Sequence, residues 1–282
     1  MATAALLLAS AVWGWTFVLV KGALQEVGPL WFLALRFTLA TLLALPLLWG
    51  RREARRGRNW RWGALLGLAL FGGYALQTWG LVFTTAQKSG LITGLSVVLV
   101  PLVAWAFGCR PSGRAWIGVA LAGSGVTLLS LGGGALGGGV WLGDLLTALC
   151  AVAFALHLVL LDRYAKAGDP QALLAPQLAL VALLSLAGAG WQREVTFAFS
   201  FQVWIALGVT AVLATTGAFA LVLWAGRRAS AARMAIVLST EPLFAALFGW
   251  WLLGEVLLPL QGVGGLLVMA GILSQRSPSA FR

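Results

Sequence analysis

Charge is what this sequence has least of. Only 10% of its 282 residues are charged, and 8 of them are acidic. A soluble domain carries nearer 25%, because water must be satisfied over its whole surface. A chain this poor in polar residues cannot clothe a soluble globule, which excludes a cytosolic enzyme, a disordered polymer and a secreted scaffold. Histidine is present once and cysteine twice, at Cys109 and Cys150. Neither a disulfide framework nor metal-ligand spacing can be built from them, and no cofactor or metal is expected. No Gly-rich phosphate loop with Lys-Ser/Thr opens a helix, so a nucleotide-driven pump is not expected either. The stretch 132–139 is glycine-rich but lacks that ending and reads as a connector.

What is present is apolar. Hydrophobic residues make up 61% of the chain, and mean hydropathy is +0.94. About 20 apolar residues carry a helix across the hydrocarbon core. Ten segments qualify: 4–23, 30–49, 62–82, 91–108, 114–131, 142–162, 171–190, 202–224, 230–252 and 258–274. The net charge of +11 falls in the short gaps between them. Placing the N-terminus inside puts fifteen of the 19 basic residues on the cytoplasmic side, at 51–61, 110–114, 163–166, 227–233 and 276–282. That is the positive-inside pattern, and it accounts for the charge without nucleic acid as a partner. Fifteen tryptophans suit helix ends at the headgroup level. The N-terminus has no basic run before its apolar stretch, so no cleaved signal peptide is expected.

The chain also repeats itself. Ala11-Val12 recurs as Ala151-Val152, Pro29 matches Pro170, Pro101 matches Pro242, and Ser89-Gly90 answers to Ser230-Ala231. The offset is 140 or 141, half the chain. The expected fold is therefore all-α and polytopic, with both termini inside. Residues 1–141 and 142–282 would form two five-helix repeats, and an odd number of crossings per repeat inserts them in opposite orientation. Inverted repeats characterise secondary transporters, whose site lies at the repeat interface. Small residues at packing spacing, Gly63 with Gly67 and Gly90 with Gly94, read as helix contacts within the fold.

Trp13-Gly14 followed by Lys21, Pro29 and Arg36 resembles the opening of the EamA family in the drug/metabolite transporter superfamily. The run from Ala75-Leu76 through Thr84-Thr85-Ala86 and Gly90 to Val100-Pro101 is similar too. In the second half, Glu241-Pro242-Leu243-Phe244-Ala245-Ala246-Leu247, then Leu253-Gly254-Glu255 and the glycine-spaced Gly262–Gly271 segment, resemble its terminal motif. The first copy departs from that motif around Gly108-Cys109-Arg110-Pro111. The resemblance implies ten helices, an inner-membrane address, and export of small organic metabolites. Members of the family include exporters of amino acids, some of them aromatic. A central cavity lined by helices 1, 3, 4, 6, 8 and 9 is also implied.

Polar groups inside spans are expensive and are functional candidates. Glu241 precedes Pro242, which withdraws a backbone donor and invites a broken helix. Its carboxylate could bind an amino group or a proton, or simply lock a helix. His157 could sense pH or hold a solute, or be a satisfied packing residue. Tyr74, Gln77, Thr93 and Ser96, with Thr215 and Ser239 in the second half, complete the polar candidates. Trp13, Trp79 and Trp105 could form an aromatic pocket, against interfacial anchoring for Trp79. Lys21 and Arg36 read mainly as topological charges that snorkel to the outer surface, against a role in attracting anionic substrates. The substrate-cavity set is thus Trp13, Tyr74, Gln77, Thr93, Ser96, His157, Thr215, Ser239 and Glu241. Proton coupling through Glu241 or His157 follows as one mechanism. No nucleophile–base pair is visible, which argues against an enzyme. The competing reading is a structural or regulatory membrane subunit with no permeation path of its own. The partners expected are a small solute and the bilayer; the sequence assigns no oligomeric state.

Overall fold

A computed structural model describes residues 2–48, 57–108, 110–131, 140–165, 173–218, 221–222, 225 and 237–274. Among them every regular element is helical. In chain order these are α1 (Ala2–Ala23), α2 (Pro29–Ala44), α3 (Gly57–Phe83), α4 (Ala86–Thr93), α5 (Leu95–Trp105) and α6 (Gly113–Leu131). There follow α7 (Val140–Ala165), α8 (Leu174–Gln192), α9 (Phe201–Gly208), a π segment (Val209–Gly217), α10 (Glu241–Leu253) and α11 (Pro259–Ser274). Five stretches are long and apolar enough to cross a membrane: Ala2–Ala23, Asn59–Phe83, Ala86–Trp105, Trp141–Leu161 and Leu174–Gln192. The other five expected crossings coincide with shorter apolar helices. Most of the loop arginines, Cys109, the connector 132–139 and Ser230-Ala231 lie outside the described residues.

Helix ends are set by carboxylates reaching across from distant loops. Both N–H groups at the start of α2, on Leu30 and Trp31, donate to Glu194 Oε2 at 2.8 and 3.0 Å. Conversely Glu26, just before α2, accepts from the Ser200 amide and hydroxyl at 2.8 and 2.7 Å, at the N-cap of α9. Glu255 accepts from the amides of Ala86 and Gln87 at 2.8 and 2.9 Å, and so starts α4. Unsatisfied N–H groups and the macrodipole make a helix N-terminus a natural seat for such charges. Thr85 adds a side-chain cap by accepting from the Lys88 amide. These caps explain why this helix begins at Ala86 rather than at the expected 91.

Lys21 works at the opposite pole. Its Nζ donates to the carbonyls of Leu81, Val82 and Thr84 at 2.7, 3.3 and 2.8 Å, closing the C-terminus of α3. It is half-buried at that end of the bundle, where the orphan carbonyls of α3 hold it. Nearby, Lys88 and Asp144 form a buried ion pair at 3.0 Å, and the Thr84 hydroxyl donates to the same carboxylate at 2.6 Å. All these contacts gather at one end of the bundle. Trp141, Trp191, Trp250 and Trp251 are exposed near that end, and Trp60, Trp105 and Trp116 near the other, as membrane-interface residues are.

Close helix approach relies on glycine. At the α6–α11 crossing, a Cβ on Gly125 would sit 2.5 Å from the Gly264 carbonyl and 2.7 Å from the Val268 amide. Gly63 and Gly67 face α8, and Gly90 and Gly94 face Ala245 and Pro242 on α10, so all four serve contacts within the chain. With lipid as apolar as leucine, such contacts carry helix association. Beyond these, α1 packs on α10, α4 on α10, α5 on α7, α3 on α7 and α8, and α2 on α8 and the π segment.

Candidate functional site

Three local irregularities face the middle of the bundle. Helix α10 starts at Glu241, after a turn at Ser239-Thr240, with Pro242 in its first turn. The expected break at this proline is therefore present, and it puts Glu241 at a helix start instead of mid-helix. Gly94 divides α4 from α5. The π segment is marked by Thr215 and Thr216, whose hydroxyls donate to the carbonyls of Thr210 and Ala211, five residues back, at 2.8 and 3.1 Å. Trp13 Nε1 reaches the Ala214 carbonyl there at 2.8 Å. Departures from regular α geometry of this kind recur at functional sites.

Between these elements lies a cavity of about 240 Å³. Of the nine candidates, Trp13, Tyr74, Gln77, Thr93, Ser96, His157 and Glu241 line it. Ser239 does not, but borders an adjoining pocket of about 50 Å³ that shares Thr93, Ser96 and Glu241. Thr215 stands behind the wall and accepts from Arg36 Nη2 at 3.4 Å. The polar lining is itself tied together. Gln77 Nε2 donates to Thr93 Oγ1 at 3.1 Å. His157 Nε2 lies 2.7 Å from Gln177 Oε1, so this ring nitrogen donates and the histidine is anchored to α8 while still bordering the cavity. Apolar wall is supplied by Phe17, Leu70, Leu81, Phe154 and Leu161. Of the three tryptophans considered together, Trp13 alone lines this cavity. Trp79 packs into the helix core, and Trp105 is exposed against Trp116 at a ring distance of 5.9 Å.

Arg36 is the residue that sequence reasoning misplaced. It is 5% exposed and lines the cavity, with its guanidinium 4.8 Å from the Tyr74 ring centre and 5.2 Å from that of Phe37. Position 36 is seven residues into α2, about 10 Å along the axis at 1.5 Å per residue. Packing of α2 on α8 and the π segment buries the side chain. The signal available in the sequence was its depth, which exceeds one helical turn. Among the described residues Arg36 and Glu241 form no ion pair, although both border the same cavity. No group of three metal-ligating side chains occurs among those residues.

Outside the membrane-spanning segments, the two bonds from Ser200 hold the Glu26 carboxyl below its usual range. The backbone bond contributes most, and the hydroxyl adds to it.

Comparison with known proteins matches a model of the EamA-like transporter family at residues 1–131 and again at 141–274. An "Uncharacterized transporter" of Archaeoglobus fulgidus is 32% identical over 270 residues, covering 95% of this chain and 83% of that protein. "Uncharacterized transporter YwfM" of Bacillus subtilis is 29% identical, covering 95% and 90%. "Uncharacterized inner membrane transporter YedA" of Escherichia coli K12 is 25% identical, covering 93% and 86%. A solved crystal structure aligns with a TM-score of 0.66 over 97% of this chain and 95% of its own, at 21% identity, which speaks to the fold. With its apolar helices, the chain is a multi-pass protein of the inner membrane. It belongs to the EamA-like transporter family.

Proposed function

We propose that the chain is a secondary transporter or facilitator that exports small organic metabolites, amino acids foremost, by alternating access through the central cavity. The observation that carries this reading is the cavity itself. It holds a cation, Arg36, and an acid, Glu241, that form no ion pair with each other, inside an aromatic and apolar wall. Opposite charges held apart suit a zwitterion with an apolar side chain better than a sugar or a neutral metabolite.

The ten-crossing reading has both termini cytoplasmic and two inverted repeats, 1–141 and 142–282. It draws support from the two family matches at an offset of about half the chain. The helix contacts are compatible with it, since α1 on α10 has a counterpart in α5 on α7, and α3 on α8 in α2 on the π segment. In that orientation the capped end faces outward. Export then requires the Glu26, Glu194 and Glu255 caps to part or swing as the two halves rock. Glu241 is the carboxylate placed for proton coupling, with His157 as the second candidate.

The test is uptake into proteoliposomes of labelled aromatic and aliphatic amino acids, nucleosides and sugars, with and without a pH gradient. Saturable amino-acid movement, competed by related amino acids, is the expected result. Saturable movement of sugars or nucleosides alone would replace the substrate class. No movement above empty liposomes by folded protein would remove the amino-acid reading and point first to another substrate class, and only then to a subunit without a permeation path. PH-insensitive transport, with Glu241→Gln and His157→Ala both active, would remove the coupling.

A further inference from the structure

We propose that Arg36 is the anchor for a carboxylate on the transported solute, and that a solute without an anionic group binds poorly. The inference rests on the cavity being the solute's path. Beyond that, it is the state of the guanidinium that points to an anion.

Arginine cannot shed its proton, and its five N–H donors form a planar fork. In Arg36 that fork is 5% exposed, and its Nε has no acceptor among the described residues. Nη2 makes a long contact, 3.4 Å, to Thr215 Oγ1, and the Tyr74 phenol oxygen is a second, uncharged partner of the group. The rings of Tyr74 and Phe37 flank the group and fix its plane. Aromatic faces orient a cation but do not neutralise it.

The described carboxylates leave Arg36 without a counter-ion. Asp144 is taken by Lys88 and Thr84. Glu26, Glu194 and Glu255 are spent on the caps of α9, α2 and α4. Glu241 borders the same cavity yet forms no ion pair with Arg36. A buried cation that borders a cavity and has no counter-ion among the described residues is arranged to receive an anion from outside the protein. A carboxylate matches the fork bidentately, and the apolar remainder of the solute lies against Trp13, Phe17, Leu81 and Phe154. Glu241, on the same cavity lining, is placed to receive an ammonium carried by the same solute.

The experiment uses the full chain in two formats: thermal shift of the detergent-solubilised protein, and competition against labelled L-phenylalanine uptake in proteoliposomes. The probes are L-phenylalanine, L-phenylalaninamide, 3-phenylpropanoate, phenethylamine and phenyl phosphate. We expect the amide and the amine to act at least tenfold more weakly than the amino acid on wild-type protein. The phosphate should be weaker than either carboxylate. Arg36→Gln should erase the preference for acid over amide, and Arg36→Lys should retain part of it. The comparison of acid with amide on wild-type protein stands even if Arg36→Gln fails to fold. Equal action of acid and amide on the wild type, an unchanged preference in folded Arg36→Gln, or no response to any carboxylate probe would overturn the anchor. Response to 3-phenylpropanoate but not to amino acids would sink the amino-acid reading and leave the anchor standing. Response to phenethylamine alone would do the reverse, leaving a solute cavity without an anion anchor.

Discussion

Replacing Lys88 by methionine tests whether the polar contacts at the capped end hold the bundle together. Lys88 Nζ sits 3.0 Å from Asp144 Oδ2, and the two side chains are 3% and 4% exposed. Without the ammonium, the Asp144 carboxylate keeps one recorded donor, the Thr84 hydroxyl at 2.6 Å. Breaking a buried pair on one side typically costs about 3–5 kcal/mol, because an uncompensated charge is left behind. Lys88→Met should therefore destabilise by about that amount. Adding Asp144→Asn removes the stranded charge, and the new amide oxygen still accepts from Thr84. The double variant should recover more than half of the loss. Equilibrium unfolding by SDS titration in mixed micelles, followed through tryptophan fluorescence, measures both. Loss below about 1 kcal/mol for the single variant would place the pair among weak surface bridges and refute the reasoning. A double variant as costly as the two single variants summed would do the same.

Three further outcomes follow from the packing and the caps. Gly125→Ala should destabilise by about 1–3 kcal/mol, since the new methyl meets the α11 backbone; Gly123→Ala, with nothing within 4 Å, should not, and the same titration compares them. Glu255→Ala removes a charged acceptor from two α4 amides and should cost about 1.5–3 kcal/mol, with faster hydrogen exchange at Ala86 and Gln87 than elsewhere. Because Glu26 has a lowered native pKa, its contribution is present above the unfolded value, near 4.5, and fades as pH falls through the native one. Protection of the Ser200 amide should therefore drop at acid pH, and Glu26→Gln should flatten that dependence.

Much of this was legible in the sequence because it rests on local pattern. Apolar length marked the helices, and Glu241-Pro242 marked the interruption before α10. Seven polar or aromatic candidates border one cavity because a polar group within an apolar span has nowhere to turn but inward. What escaped was pairing across the chain. Glu194 lies 164 residues from the Leu30 amide it accepts from, and Glu255 lies 169 from that of Ala86, so no spacing rule joins them. In the Leu253-Gly254-Glu255 motif, the acid caps α4 and lies away from the central cavity. Arg36 was misplaced for a related reason. Depth along α2 marks the side chain as far from the helix end, but its burial depends on α8 and the π segment, more than a hundred residues away. The π segment, whose threonine hydroxyls bond to carbonyls five residues back, gives no signal in apolar length.

The most direct test fills the cavity. Ser96 borders both the main cavity and its side pocket, while Leu266 is 72% exposed on the outer face of α11. Tryptophan at either position can be compared with wild type in the same proteoliposome uptake of labelled L-phenylalanine. The account predicts that Ser96→Trp, with its fold verified by the tryptophan melting profile, loses uptake, and that Leu266→Trp retains it. Wild-type uptake through a chain carrying Ser96→Trp would contradict the claim that the solute passes through this cavity.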